Sequence, residues 1–179
     1  MSVITPINED QQQQVVDTSV QYIHHASELL QRQFKSVPIL FDLRGRTAGM
    51  YRVVGRQRCI RYNPYLFAKY FSENLATTVP HEVAHYIVHQ VYGLGRVRPH
   101  GPEWKAVMAD FGADARVTCS FDLAGIPLRT QRRHNYRCAC RTHPLSSRRH
   151  NKIVAKRVSY HCRYCGQTLK PSPSPAGGS

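Results

Sequence analysis

A short motif inside a strongly apolar stretch constrains this chain more than any other feature of its sequence. Residues 80–92 read PHEVAHYIVHQVY and contain an H-E-x-x-H pattern at His81, Glu82 and His85. Residues four apart lie one turn apart on the same face of a helix, so both imidazoles can bind one metal ion, with Glu82 beside it. A buried helix rarely carries two histidines and a glutamate unless they bind something. The motif therefore predicts a zinc ion with Glu82 as a base, rather than a core helix with incidental histidines.

Such a site needs a third protein ligand. The metzincin pattern would place Gly at position 88 and His at position 91, where this chain has valine, so that class is excluded. His89 lies one turn past His85, but a straight helix turns it away from the metal face.

The segment after the motif helix offers two further candidates. Gly93 can end that helix and Pro102 can begin the next, which leaves His100 free to fold back on the metal. We prefer His100 as the third ligand. Glu103 is the alternative, because gluzincins take a carboxylate from a later helix.

A second set of potential ligands lies near the C-terminus. A C-x-C pair and a C-x-x-C pair, separated by 21 residues, place four thiols at Cys138, Cys140, Cys162 and Cys165. Paired cysteines on two knuckles are typical of a zinc ribbon, whose closed four-ligand site is structural. The C-x-C spacing is tighter than usual, so His143 stays open as an alternative to Cys140. Four unrelated thiols are the competing interpretation, but so small a module with few large apolar side chains needs a metal to fold.

The chain resembles the SprT family of zinc metallopeptidase-like proteins. The resemblance rests on the segments PHEVAHYIVHQVYG and RPHGPEWKAVM, on TAG with IRYNP, on YRCAC with RRHN, and on YHCRYCG, and it runs from about Pro38 to Leu169. The same domain type occurs in Spartan, a eukaryotic protease of DNA–protein crosslinks. The resemblance implies zinc on His81, His85 and His100, with Glu82 catalytic, in a zincin-like domain of the minigluzincin type.

The predicted fold class is α+β, with two domains. Residues 11–130 are predicted to form the metallopeptidase domain, with a small antiparallel sheet, and residues 131–169 a basic zinc ribbon. We expect residues 1–10 to be flexible and residues 170–179 to be a disordered tail.

Periodicity and turn residues predict the elements of the first domain. An amphipathic helix is expected over about 11–35, with Val16, Val20, Ile23, Leu30 and Phe34 facing inward. Strands are expected at 37–42, 50–54 and 59–62, and helices at 63–70, 73–92 and 103–111. By analogy with zinc peptidases, we assign the 59–62 strand as an edge that holds an extended peptide by main-chain hydrogen bonds.

Charge is distributed unevenly along the chain. Residues 1–122 hold 13 basic and 11 acidic side chains, whereas residues 123–179 hold 12 basic and no acidic ones. A solvated surface normally carries both signs, so this segment indicates nucleic-acid binding, with DNA as the expected partner and little sequence preference. The expected phosphate contacts are Arg148, Arg149, Lys152, Lys156 and Arg157.

The sequence shows neither a signal peptide nor an apolar run of about 18 residues that could span a membrane. We therefore expect a cytoplasmic monomer whose cysteines are thiols or metal ligands. The predicted function is a zinc-dependent metalloprotease acting on proteins on or near DNA. One alternative is a nucleic-acid-binding protein with a weak or silent zincin domain; another is a metal-dependent hydrolase with a different substrate.

Overall fold

The computed structural model describes residues 4–116, 121–128 and 132–172. The chain divides into two units, residues 1–128 and residues 129–179. In the first unit the elements are α1 (Glu9–Leu29), β1 (Ile39–Leu40), β2 (Gly49–Val54), β3 (Gln57–Tyr62), α2 (Pro64–Lys69), α3 (Phe71–Ala76), α4 (Thr78–Tyr92) and α5 (Pro102–Asp110). The second has β4 (Arg133–Arg137), β5 (Thr142–Ser146), α6 (Ser147–Val154) and β6 (Lys170–Pro171). The fold is therefore α+β, as predicted.

Helix α4 is the centre of the first unit. It packs against α1, α3, α5 and the strand β2. Val79, Val83 and Ile87 have no exposed surface, and burying such side chains contributes roughly 1.5–3 kcal/mol each. Gly93, with φ 88°, follows the last turn. The helix that carries the H-E-x-x-H motif is thus fixed by the core on most of its surface.

The helix predicted over 73–92 is interrupted at Thr77, which separates α3 from α4. Pro80 is the third residue of α4, within the first turn, where its missing N–H would have no partner in the helix. Both motif histidines therefore lie in the regular part of the helix. The predicted short helix before it is α2, which Asn63 caps by accepting hydrogen bonds from the amides of Tyr65 and Leu66.

Helix α1 is shorter than predicted and turns a partly different face to the core. Of the residues predicted to face inward, Ile23 is buried and Phe34 packs against the core. The helix ends at Leu29 instead of near residue 35, and Val20 and Leu30 are each 40% exposed. The buried positions are Val15, Ser19, Ile23 and Ala26. Ser19 can occupy a core position because its hydroxyl donates to the Val15 carbonyl, 2.7 Å away, and lies 3.1 Å from the Tyr62 hydroxyl.

The chain before α1 also differs from the expectation of a flexible N-terminus. Asn8 and Gln11 form a capping box that begins the helix. Ile7 is 3% exposed, and its amide donates to the Pro64 carbonyl at 3.1 Å. Ile7 is therefore part of the first unit's core and anchors the segment before α1.

The first sheet is mixed rather than antiparallel. Strand β3 lies in the middle, antiparallel to β2 and parallel to β1. A tight turn with Gly55 at φ 58° returns the chain from β2 to β3, whereas β1 joins the other side of β3, where the Ile60 amide donates to the Pro38 carbonyl. The assignment of the 59–62 strand as an edge is therefore wrong. The edge strand beside α4 is β2.

The second unit contains a three-stranded antiparallel sheet in the order β5–β4–β6. Its small core consists of Tyr136, Leu145, Cys162 and Leu169. Strand β6 falls in the segment predicted to be a disordered tail, and residues 173–179 of that segment lie outside the described residues. No helix in the described part of the chain is long and apolar enough to cross a membrane.

Candidate active site and metal centres

Three histidines converge in the first unit. The Nε2 atoms of His81 and His85 are 3.2 Å apart, and each lies 3.0 Å from the Nε2 atom of His100. The first two lie on α4, and His100 precedes α5 in a left-handed backbone conformation, with φ 56°. Nitrogens at these separations can all lie about 2.0–2.1 Å from one point, which is the length of a Zn–N bond. The three imidazoles therefore fit a zinc ion and leave one side open.

The Trp104 side chain packs against the three histidines and holds them in place. It is 1% exposed, and its ring centroid lies 4.8 Å from those of His81 and His100 and 5.7 Å from that of His85. Its indole N–H donates to the His81 carbonyl at 3.3 Å. One rigid side chain on α5 thus packs against all three imidazoles.

Burial keeps the three histidines neutral at physiological pH. It lowers the pKa of His81 to about 4 and that of His85 to about 3, and the neighbouring imidazoles add to both shifts. Burial also lowers the pKa of His100. Because a metal ion binds the neutral imidazole, these nitrogens do not need to lose a proton near neutral pH.

Glu82 is buried between α4 and the edge strand β2. It is 7% exposed, and its Oε2 atom accepts a hydrogen bond of 2.7 Å from the Tyr51 amide. Burial raises its pKa to about 7, although the Tyr51 amide opposes the shift. A carboxyl group with a pKa near the working pH can both accept and release a proton.

Gly49 makes this contact between strand and helix feasible. A Cβ atom at this position would lie 2.6 Å from Glu82 Cγ and 2.7 Å from Thr78 Cγ2, closer than packed atoms allow. The contact of the Tyr51 amide with Glu82 was not predicted from the sequence. A glycine at the start of a strand is itself a signal of close backbone approach.

The two other candidate ligands, His89 and Glu103, do not join the three histidines. His89 is bound through its Nδ1 atom to the Tyr51 hydroxyl at 2.6 Å. Among the described residues of this unit, the side chains that lie close enough together to hold a metal ion are His81, His85 and His100. Glu103 is not among them. A carboxylate oxygen of Glu103 instead lies close to Gly101.

The second unit contains four convergent thiols. The ligand atoms of Cys138, Cys140, Cys162 and Cys165 all lie within 4.8 Å of one another. The Nε2 atom of His143 is 3.3 Å from the Cys138 sulfur, and the thiol raises the pKa of the imidazole. The four sulfurs alone can complete a tetrahedral site, so His143 is placed to donate a hydrogen bond to one of them.

Comparison with known proteins identifies the family. The sequence model of the SprT-like family matches residues 20–130. The chain belongs to the SprT-like family. It is similar to Protein SprT of Vibrio parahaemolyticus, with 43% identity over 84% of this chain and 87% of that protein. Protein SprT of Vibrio atlanticus is 41% identical over 80% of this chain and 83% of its own length. Protein SprT of Klebsiella pneumoniae is 36% identical over 88% of this chain and 92% of its own length.

The second unit of this SprT-like chain carries three of its basic side chains on an exposed helix. Arg148, Arg149 and Lys152 lie on α6 and are exposed. The other side of α6 faces the unit, where Ile153 packs on its core and the His150 ring stacks on that of His134 at 3.7 Å. Lys156 and Arg157 follow the helix and are also exposed. The five residues predicted to contact phosphate are therefore all open to solvent.

Proposed function

We propose that the chain is a zinc-dependent peptidase with a zincin-like catalytic unit. His81, His85 and His100 would hold the metal, and Glu82 would be the general base. The observation that carries this proposal is the set of three Nε2 atoms 3.0–3.2 Å apart. Two of them, those of His81 and His85, lie on the helix that also carries a buried carboxyl group whose pKa is about 7.

A bound zinc ion would supply Lewis acidity, which lowers the pKa of water to about 7 and polarises a carbonyl group. The protein's own part in the reaction falls to Glu82. The Tyr51 amide occupies its Oε2 atom, so we assign the proton from the attacking water to Oε1. The same carboxyl group then delivers that proton to the nitrogen of the leaving amine, which restores the carboxylate.

The position of β2 at the edge of the sheet favours a peptide as the substrate. The strand pairs with β3 on one side only, and α4, with Glu82, packs near it. An extended peptide can add to such an edge by main-chain hydrogen bonds, which are independent of side-chain identity. The role first assigned to the 59–62 strand therefore moves to β2, and we expect broad sequence tolerance in the substrate.

The second unit would hold a structural zinc ion on its four cysteines and bind nucleic acid. All 12 basic residues after position 122 belong to it, and it contains no acidic residue. Arginine and lysine side chains contact phosphates without reading bases, so DNA of any sequence is the expected partner. The proposed substrates are then proteins on or near DNA.

The test compares Glu82→Gln with the wild type for cleavage of a DNA-bound protein, with and without DNA. Both proteins should contain equal zinc, because Glu82 is not a ligand, and only the wild type should cleave. If both fail to cleave while both bind DNA, the chain is a nucleic-acid-binding protein with a silent catalytic unit. Equal cleavage by both would remove Glu82 from the mechanism.

A further inference from the structure

The first unit contains a basic cavity that the proposed reaction does not use. Its volume is about 390 Å³, within the range of about 300–1,000 Å³ that is typical of ligand pockets. Three parts of the fold form it: the segment after α1, the turn between β2 and β3 with the start of β3, and one face of α4. The residues that give it its chemistry are Arg32, Lys35, Arg56, Arg58, Tyr86 and Gln90.

The four cations of the basic cavity face no carboxylate. Its described lining residues include no Asp or Glu. Among the described residues, the ion pairs involve other side chains, such as Arg61 with Asp42 and Lys69 with Asp122. All four side chains are exposed, and their positive charges would attract an anion to the cavity.

Gln90 also lines the cavity, and its side-chain amide is buried. Within the described part of the chain, Gln90 Nε2 is the buried side-chain nitrogen or oxygen without a hydrogen-bond partner. Gln90 lies beside the Tyr51 hydroxyl. Buried donors normally have an acceptor. Tyr86, one turn before Gln90 on α4, already donates its hydroxyl to the Lys35 carbonyl at 2.6 Å.

We propose that the basic cavity binds one phosphate group of a nucleic-acid backbone. This inference rests on the proposed nucleic-acid partner and adds a contact on the catalytic unit to those on α6. Phosphate oxygens match the donors that line the cavity, because guanidinium groups bind them through paired hydrogen bonds. The rings of Tyr51 and Tyr86 are 5.8 Å apart, and the Tyr51 amide contacts Glu82. A phosphate in this cavity would therefore bring nucleic acid close to the candidate active site.

The first test asks whether the cavity binds phosphate. The zinc-loaded full chain is titrated with inorganic phosphate while NMR follows the side-chain amide of Gln90. Wild type should show a saturable shift, and so should the control Arg44→Gln/Arg46→Gln, which removes two exposed arginines of the same unit. The variant Arg56→Gln/Arg58→Gln should lose it. No saturable shift in the wild type, or the same shift in both variants, would overturn the proposal.

The second test asks whether nucleic acid is the source of the phosphate. DNA affinity of the full chain is measured at several salt concentrations with a duplex that lacks terminal phosphates. Losing one phosphate contact should make the slope of log K against log salt shallower by about 0.9. Arg56→Gln/Arg58→Gln should show this change and Arg44→Gln/Arg46→Gln should not. Equal slopes, with phosphate still bound by the wild type, would mean that the cavity takes free phosphate and not nucleic acid.

These outcomes separate this inference from the proposed function. A variant with Arg148, Arg149 and Lys152 changed to Glu should keep the phosphate shift at Gln90, since the cavity lies wholly within the first unit. If the α6 variant loses DNA binding while Arg56→Gln/Arg58→Gln binds DNA as the wild type does, the DNA contacts are limited to α6. That result would contradict a contribution from the cavity. Absence of peptidase activity would leave the phosphate titration unaffected.

Discussion

Among single residues, Glu82 is in the least ordinary environment. A glutamate is seldom buried without a positive partner, yet the contact described for its carboxylate is one backbone amide, that of Tyr51. The loss of solvation outweighs this hydrogen bond, so the pKa of the carboxyl group rises to about 7. Ionising Glu82 therefore costs free energy in the folded protein, because the site keeps its carboxylate away from water.

This cost predicts that removing the charge stabilises the metal-free protein. Because the folded pKa lies above the ordinary value of 4.5, the stabilising contribution of Glu82 is complete below that value and is lost as the pH rises through about 7. Glutamine stays neutral throughout. In chelator-treated protein, Glu82→Gln should therefore be more stable than wild type by about 1–3 kcal/mol near pH 8, and by much less near pH 5.

Urea unfolding followed by tryptophan fluorescence measures this difference. Trp104 is the one tryptophan of the chain, so the signal reports on the first unit alone. A stability difference that does not change with pH would show that Glu82 has an ordinary pKa.

His100 is the second residue whose role can be isolated. It holds a left-handed backbone conformation, which asparagine tolerates better than most residues. His100→Asn should therefore keep the loop and remove only the imidazole, with loss of the first-unit zinc ion and of activity. Glu103→Gln should retain its zinc, as measured by metal analysis. Loss of that zinc from the Glu103 variant instead would support a gluzincin-type ligand set.

At the scale of elements, the contact between β2 and α4 organises the site. It places the Tyr51 amide on Glu82, and β2 is the edge of the sheet that lies beside α4. The contact depends on Gly49, because there is no room for a Cβ atom between the strand and Glu82.

Gly49→Ala should separate the strand from the helix. Overpacking of this kind costs about 1–3 kcal/mol of stability, and we expect a large loss of peptidase activity because Glu82 is displaced. Zinc content should not change, since His81 and His85 lie elsewhere on α4 and His100 precedes α5. Met50→Ala, on the exposed next position of β2, is the control and should remain active. Full activity of Gly49→Ala would mean that the position of Glu82 relative to β2 does not matter.

How far these elements follow from the sequence depends on the range of the interactions that form them. Helices α2, α4 and α5 have local signals: Asn63 with Pro64, the apolar positions around His81, and Pro102. The order of the strands does not, since pairing β1 with β3 depends on contacts about 20 residues apart in sequence. The inward face of α1 was mispredicted in part, because Ser19 takes a core position through the Tyr62 hydroxyl, which hydrophobic periodicity does not reveal.

The same distinction holds for the sites. Spacing alone identified His81 and His85, and the cysteine pairs, because their ligands are close along the chain. The Tyr51 amide and the basic cavity escaped prediction, since backbone groups and distant segments form them.

At the scale of the whole molecule, the two units differ mainly in charge. The proposal assigns DNA binding to the basic unit and peptide hydrolysis to the first. A short linker can raise the local concentration of a tethered substrate to about the millimolar range. A weak, unselective peptidase would then act chiefly on proteins held on the same DNA.

Charge reversal on α6 tests this division. Arg148→Glu, Arg149→Glu and Lys152→Glu together should weaken DNA binding for all sequences alike, flatten its salt dependence and abolish DNA-stimulated cleavage. Zinc content should stay unchanged. The control variant reverses Arg44, Arg46 and Lys105, three exposed residues of the first unit, and should keep DNA-stimulated cleavage. If wild-type cleavage is the same with and without DNA, tethering has no role.

The central claim is that the histidines hold a zinc ion of their own, distinct from the one on the cysteines. Metal analysis of the purified full chain measures this most directly. The two ligand groups, one of three histidines and one of four cysteines, predict about two zinc ions per chain. His81→Ala/His85→Ala should reduce the content to about one. A double variant that still holds both zinc ions would contradict the account.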